Sequence, residues 1–304
     1  MREHLKSFFD EFEFDSRERV ALAIAYERIA ESAKARERFM HLIDGYERDT
    51  RFLKSEHLSE LEAIGTAAGV HPYTVILLTV ICMFRTLRER LTKIGLSKRI
   101  VANTLNDVKW KMKEGEKLHG VVGTEHFNWY LRFLELKLFG IGRLQFELKV
   151  YNDDDFVCKE GRKLKSGEGV VGIHIPRNGE PLEDRAVSTS LRDAKKVFTA
   201  LLGTSNIPFI CSSWMLYPYH RDFLDQRSNI VKFMNRFELI KTVNYRKDRN
   251  DAIPFVFEVK SNTPVDLLPE NTTLQRAYKT HLSNDGRMGV GLGVLFVEDT
   301  KPKA

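Results

Sequence analysis

The chain has 304 residues, 42% hydrophobic and 30% charged, which is enough to bury a full core and divide into two domains. Lys and Arg outnumber Asp and Glu by 48 to 42, for a formal charge of +6, a mild excess that favours an anionic ligand and does not by itself imply nucleic acid. Three widely spaced cysteines, Cys82, Cys158 and Cys211, argue against a disulfide framework or a paired-cysteine zinc site and point to a reducing cytoplasm.

Residues 1 to about 120 read as helical. The N-terminal MREHLKSFFDEFEFD carries acids where an export signal needs an apolar centre. Beyond it, Leu22, Ile24, Ile29, Phe39, Leu42 and Ile43 are interleaved with dense charge, and Pro72 is the only proline of the segment. The spacing predicts helices at about 16–44, 56–68, 72–93 and 97–113, with Asp15, Ser55 and Ser97 as N-caps. Val75 to Phe84 is apolar on all sides, as in the central helix of a bundle, and is about half the length of a membrane span. LEAIGTAAGVHPYTVILLTV has the small-residue turn of a helix-turn-helix module. A recognition helix needs exposed polar side chains, and this one offers core, so neither nucleic acid nor a membrane is the expected partner.

Near Gly120 to Gly123 the composition shifts to aromatic and β-branched residues. The boundary is therefore set there: 1–122 a helical N-terminal domain, 123–304 a domain of strands and helices in turn, an α+β chain as a whole. EHFNWYLRFLELKLFG (125–140) predicts a helix at the junction. GRLQFELKVY then alternates, with Leu144, Phe146, Leu148 and Val150 on an apolar face and Arg143, Gln145, Glu147 and Lys149 on a polar one, a half-buried strand. NIPFICSSWML predicts a later strand. A helix or turn near Arg221 to Asp225 follows, then the runs SNIVKFMNRFELIKTVNY and IPFVFEV, a helix at about Thr273–Leu282, and MGVGLGVLFVED.

Between these lies the stretch on which the second half is organised, Gly169 to Phe198. Val170, Val171, Ile173 and Ile175 predict a buried strand ended by Pro176, NGEP makes a turn, and Ala186, Leu191, Ala194 and Val197 recur at helical spacing. A strand, turn and helix in this order offer backbone donors and a positive dipole end for a phosphate or carbonyl oxygen. The unit from Gly169 to Phe198 itself contains neither G-x-x-x-x-G-K-[ST] nor G-x-G-x-x-G.

Four phrases, Gly142-Arg143-Leu144-Gln145-Phe146-Glu147, Ile173-His174-Ile175-Pro176, Cys211-Ser212-Ser213-Trp214-Met215-Leu216 and Ser228-Asn229-Ile230-Val231-Lys232-Phe233, occur in this order and spacing. With Thr273 to Ala277 and Gly289 to Gly293 they resemble bacterial acyltransferase-domain proteins that join a helical N-acyltransferase N-terminal domain to a GNAT (Gcn5-related N-acetyltransferase)-like C-terminal domain. The resemblance implies a mixed sheet flanked by helices. It also implies acyl transfer from acetyl-CoA or another acyl-CoA to an amine or hydroxyl of a small-molecule or peptide acceptor. The usual GNAT pyrophosphate loop, [RQ]-x-x-G-x-[GA], is not found after Val171; Arg177-Asn178-Gly179 is the nearest approach.

A thioester is already activated, so such an enzyme must hold two substrates close and take up a proton. His174, a lone imidazole in an apolar strand, is the first candidate base; Glu147 is the second, with a core histidine and a surface ion pair as the plainer readings. Ser213 is expected to donate to a carbonyl or thiolate, with turn capping as its alternative. Ser212 and Trp214 are expected to line the cofactor, with Asn229 orienting a carbonyl or capping a helix that starts at Ile230, capping at Ser228 being the plainer reading. Arg177, Asn178 and Gly179 are candidates for the phosphates, as are Arg143 and Arg227. Cys211 with His174 offers a rival acyl-enzyme pair. Glycines at 289, 291 and 293 clear one strand face, for a pantetheine arm or for a bulky core neighbour. No metal site is expected, and a non-catalytic binding module of the same fold is the alternative function.

Overall fold

The computed structural model describes residues 2–245 and 252–298. The chain divides into two compact units, Met1–Ile141 with Pro176–Asn178, and Gly142–Ile175 with Gly179–Ala304. This division falls after Ile141, further along than the composition shift at 122/123.

The first unit is built of α1 (Arg2–Glu11), α2 (Ser16–Glu31), α3 (Ala33–Arg48), α4 (Leu58–Ala68), α5 (Pro72–Lys93), α6 (Lys98–Leu105), α7 (Asp107–His119) and α8 (Phe127–Leu134), and closes with β1 (Leu138–Ile141). Asp15 caps α2 in a reciprocal box with Glu18, and Ser97 caps α6, as their sequence positions require. Ser55 instead lies inside a short 3-10 turn, Ser55–His57, that precedes α4. The helix expected over 16–44 is two helices. Ser32 leaves helical geometry (ψ 109°), accepts from the Ala35 N–H, and donates to the Ala67 carbonyl at 3.1 Å. The helix expected over 97–113 also divides, at Asn106, just after Thr104 donates back to the Ile100 carbonyl at 2.7 Å, a bond that bends helices. That expected over 125–140 stops at Leu134; Leu136 takes φ +58° and the chain turns into β1.

In α5 every residue from Thr74 to Phe84 is buried, so its apolar circumference is used up by packing. Among the described residues no single helix is long and apolar enough to cross a membrane.

The second unit holds a mixed sheet. It comprises β2 (Leu144–Val150), β5 (Gly169–His174), β6 (Pro208–Ser213), β7 (Glu238–Asn244) and β8 (Gly289–Phe296), with a separate hairpin of β3 (Phe156–Val157) and β4 (Lys163–Leu164). Its strands lie in the order β2-β5-β6-β8-β7. Only the β5–β6 pair is parallel, and between them runs α9 (Asp184–Leu202). The remaining helices are α10 (His220–Phe223), α11 (Asn229–Met234), α12 (Ala252–Phe257), which accounts for the IPFVFEV run, and α13 (Thr273–Ser283).

Strand alternation gives the sheet two different faces. On one, Phe146 of β2 and Phe209 of β6 meet Phe198 of α9, with ring centroids 6.0–6.4 Å apart. On the other, Val170, Ile210, Leu292 and Val294 pack with Tyr151, Cys158 and Leu164, so the β3–β4 hairpin covers that face at the start of β5. The far end of the same face, where β5 finishes, carries His174.

The alternate glycines of β8 serve packing. A Cβ on Gly291 would lie 2.3 Å from the Leu216 carbonyl oxygen, and one on Gly289 would strike the Tyr217 ring. They let β8 lie directly against the 3-10 turn Trp214–Leu216; of the two readings offered by the sequence, the bulky neighbour holds.

Candidate active site

The polar row of β2 is the first departure from a half-buried strand. Arg143, Gln145 and Glu147 are all buried, and buried polar side chains in a sheet interior are costly unless they are paired. The Arg143 guanidinium donates to the Glu180 carbonyl at 2.8 Å and the Pro181 carbonyl at 3.2 Å, fixing the loop that leads into α9. Burial lowers its pKa, with the Glu180 charge opposing.

Glu147 is opposite Gly172 and Gln145 opposite His174 in the antiparallel β2–β5 register, so Gln145, Glu147 and His174 project from one face. The Lys149 stem lies over Gly172, where a Cβ would sit 2.8 Å from its Cδ, and His174 Nε2 lies 2.8 Å from Glu147 Oε2. The Glu147 side chain is 11% exposed and that of His174 26%. The carboxylate is thus held inside while the ring reaches toward solvent. With a carboxylate as acceptor Nε2 is the donor, and in the neutral ring Nδ1 then carries the lone pair. Two residues separated by 27 positions, each a candidate base on its own, form one unit.

The pair stands where the sheet opens. The β5–β6 ladder comprises only Val171 with Phe209 and Gly172 with Ile210. Beyond it β5 runs on to His174, whereas β6 runs on to Ser213 paired with β8, Ser213 facing Gly291. The two parallel strands therefore part just beside the imidazole. A slender chain entering such a gap finds main-chain donors and acceptors along both edges.

Among the remaining candidates, Ser212 shares the face of His174 and is exposed, on the rim of a cleft. Ser213 points to the other face, and its hydroxyl accepts from the Met215 N–H at 3.1 Å, capping the Trp214–Leu216 turn. Trp214 is buried, with its indole edge-on to His220 and Tyr278. Asn229 is the exposed first residue of α11, and Ser228 is its cap, accepting from the Val231 N–H at 3.3 Å.

Arg177 and Asn178 count with the first unit, and Gly179 turns the chain at φ +77°. Arg177 meets Glu114 at 3.1 Å, alongside Lys111 at 2.8 Å and His126 at 3.6 Å. Burial alone would raise the Glu114 carboxyl; His126 and Lys111 outweigh it and hold it well below the usual carboxylate range. Arg227, on the surface, pairs with Asp225. Each of the three arginines offered for phosphate contacts thus has a protein partner in this structure.

Cys211 lies on the face opposite His174 and is buried; burial pushes its thiol up to about 12, with Lys149 slightly opposing. A thiol in that state is no nucleophile, which removes the Cys/His acyl-enzyme pair. Among the described residues no group of His, Cys, Asp and Glu has the arrangement of a metal site.

Sequence reasoning missed the Gln145 burial and the buried His220–Tyr278 contact. The one available signal was the uninterrupted alternation of Arg143, Gln145 and Glu147, which fits a face turned toward a site as well as one turned toward water.

Residues 3–136 match the profile of an N-acyltransferase N-terminal domain, and residues 138–295, more than half of the chain, match that of a GNAT-like C-terminal domain. The chain belongs to the family that carries this GNAT-like C-terminal domain behind an N-acyltransferase N-terminal domain. It is an acyltransferase with the two-part architecture expected from the four phrases. Among solved structures, this GNAT-like chain resembles an acyltransferase mutant in complex with octanoyl-CoA, with TM-score 0.72 and 20% identity over 97% of this chain and 88% of the other. An acyltransferase in complex with decanoyl-CoA and teicoplanin gives TM-score 0.72 and 20% identity, covering 96% and 87%. At that identity the likeness bears on the fold. No curated protein matches the chain in sequence.

Proposed function

We propose that this GNAT-like acyltransferase moves an acyl group from a coenzyme A thioester to an amine or hydroxyl acceptor, with His174 as general base and Glu147 as the residue that positions it. One observation carries the reading: a partly exposed imidazole held at 2.8 Å by a largely buried carboxylate, beside the gap where β5 and β6 part. A structural ion pair needs no such opening. The acyl-CoA ligands of the structurally similar acyltransferases support the choice of donor.

In the reaction the acceptor nitrogen or oxygen attacks the thioester carbonyl. A new bond to the acyl carbon forms, the C–S bond breaks, and coenzyme A leaves as a thiolate, to which the imidazolium returns the nucleophile's proton directly or through water. His174 Nδ1 receives the proton lost by the nucleophile, and the Glu147 carboxylate stabilises the imidazolium through Nε2–H. Backbone groups of the parted strands are suited to bind the pantetheine amides and to polarise the acyl carbonyl. Ser212, on the same face and exposed, is suited to meet the ligand. The capping bond of Ser213 and the burial of Trp214 favour structural roles for those two. The three cysteines are free and buried, which supports a reducing, cytoplasmic setting.

The test is calorimetric titration of the full chain with acetyl-CoA, octanoyl-CoA and decanoyl-CoA, followed by coenzyme A release with a panel of amines. His174→Gln is expected to keep donor binding and lose turnover. Absence of donor binding by the unmodified chain contradicts the reading and favours a binding module of the same fold.

A further inference from the structure

Past Ser212, on the His174 side of the sheet, lies a cleft of about 270 Å³ within the second unit. The strand register explains its lining: Ser212 faces Leu292 across β6–β8, and Lys241 and Val243 of β7 face Leu292 and Val290. Buried Ile210 and Leu292 make an apolar floor, and exposed Lys149 and Lys241 stand at the rim. Lys241 is paired with Asp153. Lys149 has no such carboxylate partner among the described residues. Its stem is laid across the sheet because residue 172 is glycine, where a Cβ would sit 2.8 Å from Lys149 Cδ. The glycine at 172 thus makes room for the Lys149 stem on the face that carries Glu147 and His174.

We infer that this cleft receives the acyl acceptor, and that the acceptor carries an anionic group, carboxylate or phosphate, on a compact apolar body. The inference rests on the acyltransferase reading above. An apolar floor rewards a hydrocarbon body, and an ammonium without a carboxylate partner among the described residues, beside a neutralised pair, makes a positive rim that selects an anion over a cation. The register sets Gly172 beside Ile210, and His174 and Ser212 each follow two residues later on the same face of the sheet. An acceptor seated with its anion at Lys149 can present its amine to the imidazole from there. The volume is larger than the roughly 150 Å³ cavity that holds a benzene ring, leaving space for a ring or branched chain plus its polar groups.

Three probes with one body decide the matter: phenylalanine, its aminophosphonate analogue and phenylalaninol, titrated calorimetrically into the full chain and into Lys149→Gln. The expected result is binding of at least one acid about tenfold tighter than the alcohol, with the two acids separating carboxylate from phosphate. Lys149→Gln is expected to erase that preference while leaving the affinity for phenylalaninol unchanged. Equal affinity for all three, binding of none at millimolar concentration, or a preference that survives Lys149→Gln overturns the inference. Octanoyl-CoA titrated alone separates the two readings. Donor binding without an acid preference overturns this inference only, whereas an acid preference without donor binding overturns the acyltransferase reading and the acceptor role with it.

Discussion

His174 and Glu147 divide one task, and the division fixes what each substitution does. His174→Gln removes the proton acceptor and is expected to lower kcat/KM by about 10²–10⁴-fold with little change in donor affinity. Glu147→Gln keeps the shape but weakens the hold on the ring, for a loss of about 10–100-fold. The double variant is expected to be no slower than His174→Gln, because the second change acts only through the first. Steady-state coenzyme A release by the three variants measures this, and additive losses contradict it. Cys211 sits on the opposite face with its thiol pushed up to about 12. Cys211→Ala is accordingly expected to leave kcat/KM unchanged, and the native thiol to resist alkylation at mildly alkaline pH. A large loss of turnover in that variant would restore the acyl-enzyme route.

Two contacts within the second unit act on stability. The β8 strand approaches the Trp214–Leu216 turn through Gly291, so Gly291→Ala must displace a backbone carbonyl and is expected to cost about 1–3 kcal/mol in a urea melt; an unchanged midpoint contradicts that contact. Where α10 meets α13, His220 is fully buried against Tyr278 and Trp214. Burial lowers its pKa to about 4, against a smaller opposing effect of the Met215 backbone and a further lowering by His281. The ordinary value of 6.5 applies once the chain unfolds, so between the two values the unfolded chain binds the proton and the folded chain does not. Stability from this group is full above about pH 6.5 and falls as pH drops toward 4, by up to about 3 kcal/mol. Denaturant midpoints across that range measure it in the parent and in His220→Gln, whose acid slope is expected to be shallower; equal slopes contradict the assignment.

Across the whole molecule, what local chemistry controls was legible and what distant pairing controls was not. Asp15 with Glu18, Pro72 at the start of α5 and the alternation of β2 are written within a few residues of one another, and helix and strand follow. The breaks at Ser32 and Asn106 were hidden because a serine bonded to the Ala67 carbonyl and a back-bonded Thr104 leave no mark on hydrophobic spacing. The same limit applied at the site. His174 stood out as an imidazole in an apolar strand and Glu147 as a carboxylate on the polar face of an alternating one, yet their union depends on the β2–β5 register, and the use of the β8 glycines depends on a turn more than 70 residues earlier. The most direct test of the proposed chemistry is thermal unfolding of the full chain with octanoyl-CoA at a hundredfold excess over its dissociation constant, run in parallel on His174→Gln. The expected result is stabilisation of both by about 2.7 kcal/mol, with turnover in the parent alone. No stabilisation of the parent by this or a shorter acyl-CoA, or full turnover in His174→Gln, would contradict the assignment of the β5–β6 gap and its imidazole to acyl transfer.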